Sequence, residues 1–293
     1  MDHLSRLEHA SVHIMREAYQ SFSRLGMLWS IGKDSSVLLW LCRKAFFGHV
    51  PFPVIHVDTT FKIPEMIAYR NRLALEWKLD LRYAVNEAAV QAKQTYPDGA
   101  VDRITCCGLL KTKPLAELLK GTGTRYRLNH ESGKFDPYNV NETFDGVIVG
   151  LRADEEGSRS KERYFSPRDQ ENNWDIGTQP PEFWNQFNTD FPPGTHLRIH
   201  PLLDWTEVNI WEYIEREGIP TVGLYYDRGD GVRYRSLGCA NCTLPVNSTS
   251  KNPAEIVSEL SSGKFSRVAE RSGRAQDKDG GGGLEVLRKD GYM

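Results

Sequence analysis

Along the first half of the chain, short and nearly unbroken apolar stretches alternate with stretches whose apolar positions recur at the helical spacing of three and four. "GMLWS" (26–30) predicts a buried strand, and "DSSVLLWLCRKAF" (34–46) a helix with Asp34 and Ser35 near its start. "FPVIHVDTT" (52–60) predicts the next strand, followed by a helix entered at Pro64, "PEMIAYRNRLALEWK". "LDLRYAV" (79–85) and "FDGVIVGL" (144–151) predict a third and a fourth strand. "HLRIHPLLDWTEVNIWEYIEREGI" (196–219) predicts a strand, a proline-marked turn and a helix capped by Thr206. The N-terminal "MDHLSRLEHASVHIMREAYQSF" predicts an amphipathic helix. This alternation specifies an α/β fold built from β-α-β units on a parallel sheet.

The pattern fails in 121–143 and 166–195, long segments of the kind that cover substrates or meet partners in α/β domains. It also fails in "SGRAQDKDGGGGLEVLRKDGYM", which is expected to be a mobile tail. These breaks suggest a division at 218/219, with an α/β domain before it and a smaller, irregular, cysteine-containing part after it. At 293 residues the chain has room for such a core and an appendage. With 37 Lys and Arg against 39 Asp and Glu, no overall basic excess advertises a polyanion partner. No apolar run of 18 residues occurs, so a soluble, cytoplasmic protein without a membrane partner is expected.

The loop "SIGKDSS" joins the first strand to its helix, where backbone amides and the positive end of the helix dipole can converge on an anion. Gly32 permits close approach of the backbone; Ser30, Ser35 and Ser36 add hydroxyls, and Lys33 a point charge. It is not a Walker A loop, and an ordinary helix cap is the bland alternative. Two other stretches favour a ligand. "HVDTT" puts His56, Asp58 and Thr59 at the carboxyl end of the second strand, the edge where open parallel sheets bind ligands. "GLRADEEGSRSKERYFSPRD" follows the fourth strand with Gly150, Arg152, Arg159, Lys161, Arg163 and Arg168, which read as the far wall of an anion site rather than a solvated helix face.

The loop resembles the S-G-G-x-D-S loop of the N-type ATP pyrophosphatases, with Ile31 where that pattern has its first glycine. Nearly end to end, through "LWSIGKDSSVLL", "PFPVIHVDTTFKIPEM", "GLRADEEGSRSKER", "PLLDWTEVNIWEYI" and "VRYRSLGC", the chain resembles the small subunits of bacterial sulfate adenylyltransferase. The resemblance implies an adenine-nucleotide α-hydrolase fold: an open, mostly parallel twisted sheet with helices on both faces. It also implies cleavage of ATP between the α and β phosphates. Ser30, Gly32, Lys33, Ser35 and Ser36 would then hold the leaving pyrophosphate, and Asp34 or Asp58 would bind Mg²⁺. Adenine would lie over His56 to Asp58, and Arg152, Arg159 and Arg163 would face the α-phosphate and the attacking oxyanion.

Five cysteines in such a chain do not make a disulfide framework. Cys42, in "VLLWLC", suits a small buried hydrophobe. Cys106 and Cys107 are adjacent in "ITCCGLLKTKPL", while Cys239 and Cys242 form a C-x-x-C. Four soft thiolates suit an iron–sulfur cluster or zinc; four unrelated thiols or a redox disulfide are the alternatives. The pattern resembles that of assimilatory adenylyl-sulfate reductases and of the ATP pyrophosphatases of DNA phosphorothioation, nearer the Ssp than the Dnd type, where it holds a [4Fe-4S] cluster. No cysteine follows Cys242, which removes the reductase reading. The resulting expectation is adenylation of the DNA backbone, with a cysteine desulfurase and DNA-modification subunits as partners. One alternative is a sulfate adenylyltransferase subunit working with a GTPase-type large subunit, and another a non-catalytic ATP-binding scaffold.

Overall fold

The computed structural model describes residues 1–270 apart from 156, 175, 178, 193, 267 and 269. The glycine-rich tail expected to be mobile lies outside the described residues. Helix α1 (His3–Ser21) starts at Asp2, whose carboxylate accepts the Ser5 amide at 2.7 Å. The predicted alternation follows as β1 (Leu25–Leu28), α2 (Lys33–Ala45), β2 (Val54–Val57), α3 (Pro64–Glu76) and β3 (Leu81–Val85). Three short helices come next: α4 (Glu87–Gln91), α5 (Arg103–Cys107) and α6 (Lys113–Leu119), the last two joined by a π-turn over Gly108–Thr112. The strands β4 (Thr124–Leu128), β5 (Phe135–Pro137), β6 (Gly146–Ile148), β7 (Phe165–Arg168) and β8 (His196–Ile199) lead to α7 (Glu207–Glu217). Beyond it lie β9 (Val232–Arg233), β10 (Val246–Asn247) and α8 (Pro253–Ser261).

Eight strands form one sheet in the order β5-β4-β3-β2-β1-β6-β8-β7. The pairs from β3 through β8 are parallel, and β4, β5 and β7 join antiparallel at the two edges. Every residue of β1, β2, β6 and β8 is buried, as expected of parallel strands covered on both faces. One face packs Met27, Val54 and Ile148 with Met15, Leu38 and Trp211 of α1, α2 and α7; the other packs Leu28, Ile55 and Val147 with Leu115 and Leu118 of α6. Among the described residues, no helix is long and apolar enough to cross a membrane.

Two segments depart from the sequence-based expectation. Within 121–143, expected as a covering loop, β4 and β5 form a hairpin that extends the sheet. The arginine-rich stretch after β6 forms 3₁₀ turns at Ala153–Glu155 and Gly157–Lys161 and then the edge strand β7. From β1 the chain winds through β2 and β3 on one side, and β6 and β8 lie on the other. The order therefore reverses between the carboxyl ends of β1 and β6, where such sheets open a crevice.

Candidate active site

The crevice is walled by the loops that follow β1 and β6. Past Leu28 the backbone turns at Ile31, whose φ of +70° lies in the left-handed region while its side chain is wholly buried in the core. A β-branched residue costs about 1–2 kcal/mol there, so packing must hold the turn. Gly32 is the extended cap of α2 and contributes no side-chain cap bond, which leaves the first turn of the helix facing the cavity. The Lys33 amide donates to Tyr225 Oη at 2.8 Å. Ser30 and Ser35 line the cavity with their hydroxyls 3.1 Å apart, whereas Ser36 turns inward to accept from Trp29 Nε1 at 3.4 Å. On the opposite wall a Cβ on Gly150 would come within 3.0 Å of Ser35 N and Cα, so a side chain there would press on the start of α2.

Charge is concentrated beneath this loop. Lys33 and Arg152 are 1% and 0% exposed, and Glu270 bridges them, accepting from Lys33 Nζ and Arg152 Nη2. Asp34 accepts from Arg152 Nη1 and, at 3.3 Å, from Lys33 Nζ. Arg152 Nε donates to Asp154 at 2.9 Å, and the other oxygen of Asp154 accepts the Glu207 amide, tying this loop to the start of α7. Arg235 holds Glu207 through three hydrogen bonds of 2.6–3.1 Å. Burial pushes the Glu207 carboxyl up, and the neighbouring charge of Glu270 pushes the same way. Burial would also raise Glu270, but Arg152 and Lys33 overcome it and hold that carboxyl well below the usual range.

Of the predicted residues, Ser30, Gly32, Lys33, Asp34, Ser35, Gly150 and Arg159 line the cavity, and Arg152 lies directly under it. Arg159 is ion-paired with Glu155, which lines the same wall. Others lie elsewhere. His56 is buried below the loop with Nδ1 2.9 Å from the Trp29 carbonyl, and burial keeps it neutral, with a pKa well below the usual value. Asp58 caps the Thr60 amide at 2.8 Å and meets Arg70 at 3.3 Å, because α3 brings that guanidinium over the end of β2. Arg163 is exposed and does not line the cavity, since the chain has already turned into β7. Sequence reading missed Lys62, Lys111, Tyr225 and Glu270 on the wall, and Glu207 and Arg235 behind it. Lys62, Lys111, Glu207 and Arg235 lay in stretches already singled out, "PFPVIHVDTTFKIPEM", "ITCCGLLKTKPL", "PLLDWTEVNIWEYI" and "VRYRSLGC", without being picked from them; Tyr225 and Glu270 lay in none.

Cys106, Cys107, Cys239 and Cys242 line one small neighbouring cavity together with Thr59, Arg103 and Lys111. Thr59 Oγ1 is 3.2 Å from Cys239 Sγ, and Lys111 Nζ is 3.7 Å from Cys107 Sγ. Burial pushes the Cys106 and Cys242 thiols up despite the opposing charge of Lys111. Four soft donors at one cavity match an iron–sulfur cluster or zinc in chemistry. As the side chains stand, however, no group of three or more His, Cys, Asp or Glu among the described residues is arranged to hold a metal ion. Cys42 is separate, buried in the core with its thiol pushed far up by desolvation.

Comparison with known proteins agrees with this architecture. The family model described as the phosphoadenosine phosphosulfate reductase domain matches residues 24–245. Sulfate adenylyltransferase subunit 2 of Geotalea daltonii is 38% identical, with 100% of this chain and 99% of that one covered. Its counterpart in Rhodospirillum rubrum is also 38% identical, with 100% of both chains covered. Among solved structures, the phosphoadenylyl-sulfate reductase of Candida auris, a phosphate complex, superposes with a TM-score of 0.52 at 17% identity, covering 83% of this chain and 97% of that one. The FMN adenylyltransferase of Candida glabrata gives 0.50 at 16%, covering 83% and 63%. These two likenesses are of fold alone. The full-length similarity is of another order, and by it the chain belongs to the phosphoadenosine phosphosulfate reductase domain family and, within it, to the sulfate adenylyltransferase subunit 2 proteins.

Proposed function

We propose that the chain is an adenylyltransferase-type enzyme that transfers AMP from ATP to sulfate, as the ATP-handling subunit beside a GTPase-type large subunit. The observation that carries this reading is the convergence of the first turn of α2, Ser30, Ser35, Lys33 and Arg159 on one cavity at the sheet's switch point, with Arg152 directly beneath it. A sulfate oxygen attacks the α-phosphorus, the α–β P–O bond breaks, and its electron pair leaves with pyrophosphate. The nucleophile is already an anion, so no general base is required. The task is to neutralise charge: the loop amides, both serines and Lys33 serve the departing pyrophosphate, and the arginines serve the α-phosphate and sulfate. Gly150 lets the two walls of the cavity close on each other at the start of α2. A carboxylate suits Mg²⁺. Both candidates are already paired, Asp34 with Arg152 and Lys33 and Asp58 with Thr60 and Arg70; Asp34 is the choice for that ion because it lines the cavity and Asp58 does not.

The test is pyrophosphate release from ATP by the full chain with a GTPase-type large subunit. Release that requires sulfate supports the reading; release indifferent to sulfate overturns it. ATP recovered uncleaved with Mg²⁺ and partner present favours a scaffold instead.

The sequence alone favoured adenylation of the DNA backbone for phosphorothioation. Full-length relatives named for sulfate adenylation favour sulfate. One observation keeps the DNA reading as the second: all four cysteines of the two pairs line one cavity. In that reading Cys106, Cys107, Cys239 and Cys242 hold a [4Fe-4S] cluster, and a cysteine desulfurase and DNA-modification subunits are the partners. Iron and sulfide measured on anaerobically purified protein decide the cluster: neither iron nor zinc at stoichiometric level rejects it.

A further inference from the structure

Glu270 is the least expected part of the site. It lies 237 residues from Lys33 in sequence, beyond the last described helix, yet its side chain is only 5% exposed. Two residues just before it are held by Arg235. Arg235 donates to the Val268 carbonyl at 2.7 Å and lies over the Phe265 ring at 4.8 Å, with Arg233 at 5.8 Å from the same ring. Glu270 then enters between the two buried cations that the nucleotide reading assigns to phosphate.

Lys33 and Arg152 lie out of water and need counter-anions. Asp34 supplies one from α2 itself, fixed by its place in the helix. Asp154 supplies another to Arg152 from the loop after β6, and Glu270 the third, on a segment whose Val268 carbonyl and Phe265 ring meet Arg235. A triphosphate brings its own negative charge to the same cations, and it cannot share them with a carboxylate without like-charge repulsion. Glu207, close behind, already adds to that repulsion.

We propose that Glu270 is an exchangeable counter-anion: its carboxylate occupies the seat of a nucleotide phosphate on Lys33 and Arg152, and nucleotide entry expels it and loosens the hold of Arg235 on Phe265 and Val268. This inference rests on the nucleotide reading of the cavity. It makes Glu270 an intrasteric gate whose position reports whether the site is filled.

The experiment uses the full chain, Mg²⁺ and α,β-methylene-ATP, which cannot be cleaved between the α and β phosphorus atoms. Calorimetry on the wild type and Glu270→Gln gives the two affinities. The expected result is tighter binding by the variant, roughly fivefold or more, the lower end of ordinary coupling between sites. Equal or weaker binding by the variant overturns the gate and makes Glu270 a residue that positions Lys33 and Arg152. Amide hydrogen exchange on the wild type supplies a readout that needs no variant. Exchange of the Ser266 and Val268 amides should speed up when the analogue binds, and unchanged or slower exchange overturns the proposal. If neither chain binds the analogue, the nucleotide reading fails and the gate fails with it.

Discussion

The cavity at the start of α2 and the cysteine cavity share Lys111 as a common wall residue, yet their polar groups are satisfied in opposite ways. In the first, Lys33, Arg152, Arg235, Asp34, Glu207 and Glu270 are locked in ion pairs with one another. In the second, thiols sit near two cations, Arg103 and Lys111, and burial keeps at least Cys106 and Cys242 protonated. One site is electrostatically complete before any ligand arrives; the other holds donors whose charge appears only on deprotonation. An anion entering the first would therefore have to displace one already there, while the second would have to lose protons to bind a cation.

The sharpest way to break this contrast is Arg152→Ala. It strands Asp34, Asp154 and Glu270 around a buried void, so we expect a loss of about 3–5 kcal/mol in urea-unfolding stability, as for other broken buried pairs. A loss below about 1 kcal/mol, the range of exposed pairs, would show that the network is not closed to water. Lys33→Ala should lower sulfate-dependent pyrophosphate release by roughly 10²–10³-fold, the usual effect of removing a group that stabilises developing charge. Initial-rate assays at saturating ATP measure it.

In the cysteine cavity, alkylation of Cys106 and Cys242 tests the protonation state. Their pKa values are raised, so the thiolate fraction at pH 7 is small, and the rate should climb about tenfold per pH unit up to and beyond pH 9. A flat rate from pH 6 to 8 would mean that the thiols are already ionised. Thr206→Ala removes the capping box that starts α7 and steadies Glu207, and should cost about 1 kcal/mol in thermal or urea unfolding. The smallest effect separates the two functional readings. Cys106→Ser and Cys242→Ser should leave sulfate-dependent turnover within about twofold, a difference under ~0.5 kcal/mol. Turnover that collapses in either variant would tie the thiols to the chemistry.

What could be read in advance follows from how local each signal is. The alternation of β1, α2, β2, α3 and β3 lies in contiguous apolar patterns, as does the loop between β1 and α2. The edge hairpin did not declare itself because Arg125 and Arg127 sit inside β4 and interrupt its apolar alternation; Arg125 is buried over Tyr138, and Arg127 pairs with Asp80. Asp58 stands at the expected strand end, but Arg70 from the next helix claims its carboxylate, a tertiary effect with no trace in "HVDTT". Glu270 was illegible for a related reason: it lies beside glycine-rich, charged sequence, and only the fold carries it to Lys33. The cysteine pairs were legible as pairs, and their meeting at one cavity depends on the bridge between Lys62 and Cys239 that brings the C-x-x-C loop over the end of β2.

Ile31 bears on how far α2 can grow. Helical geometry at residue 31 would add a turn at the N-terminus and consume the open amides in internal hydrogen bonds. That conversion would also swing a fully buried isoleucine out of the core, a transfer worth about 1.5–3 kcal/mol, so the helix is stopped from behind by an apolar anchor. A glycine at this position would permit the same turn without enforcing it. In this chain the boundary of the helix is set by a buried side chain that is not part of the cavity wall, so the shape of the loop does not depend on what the cavity holds.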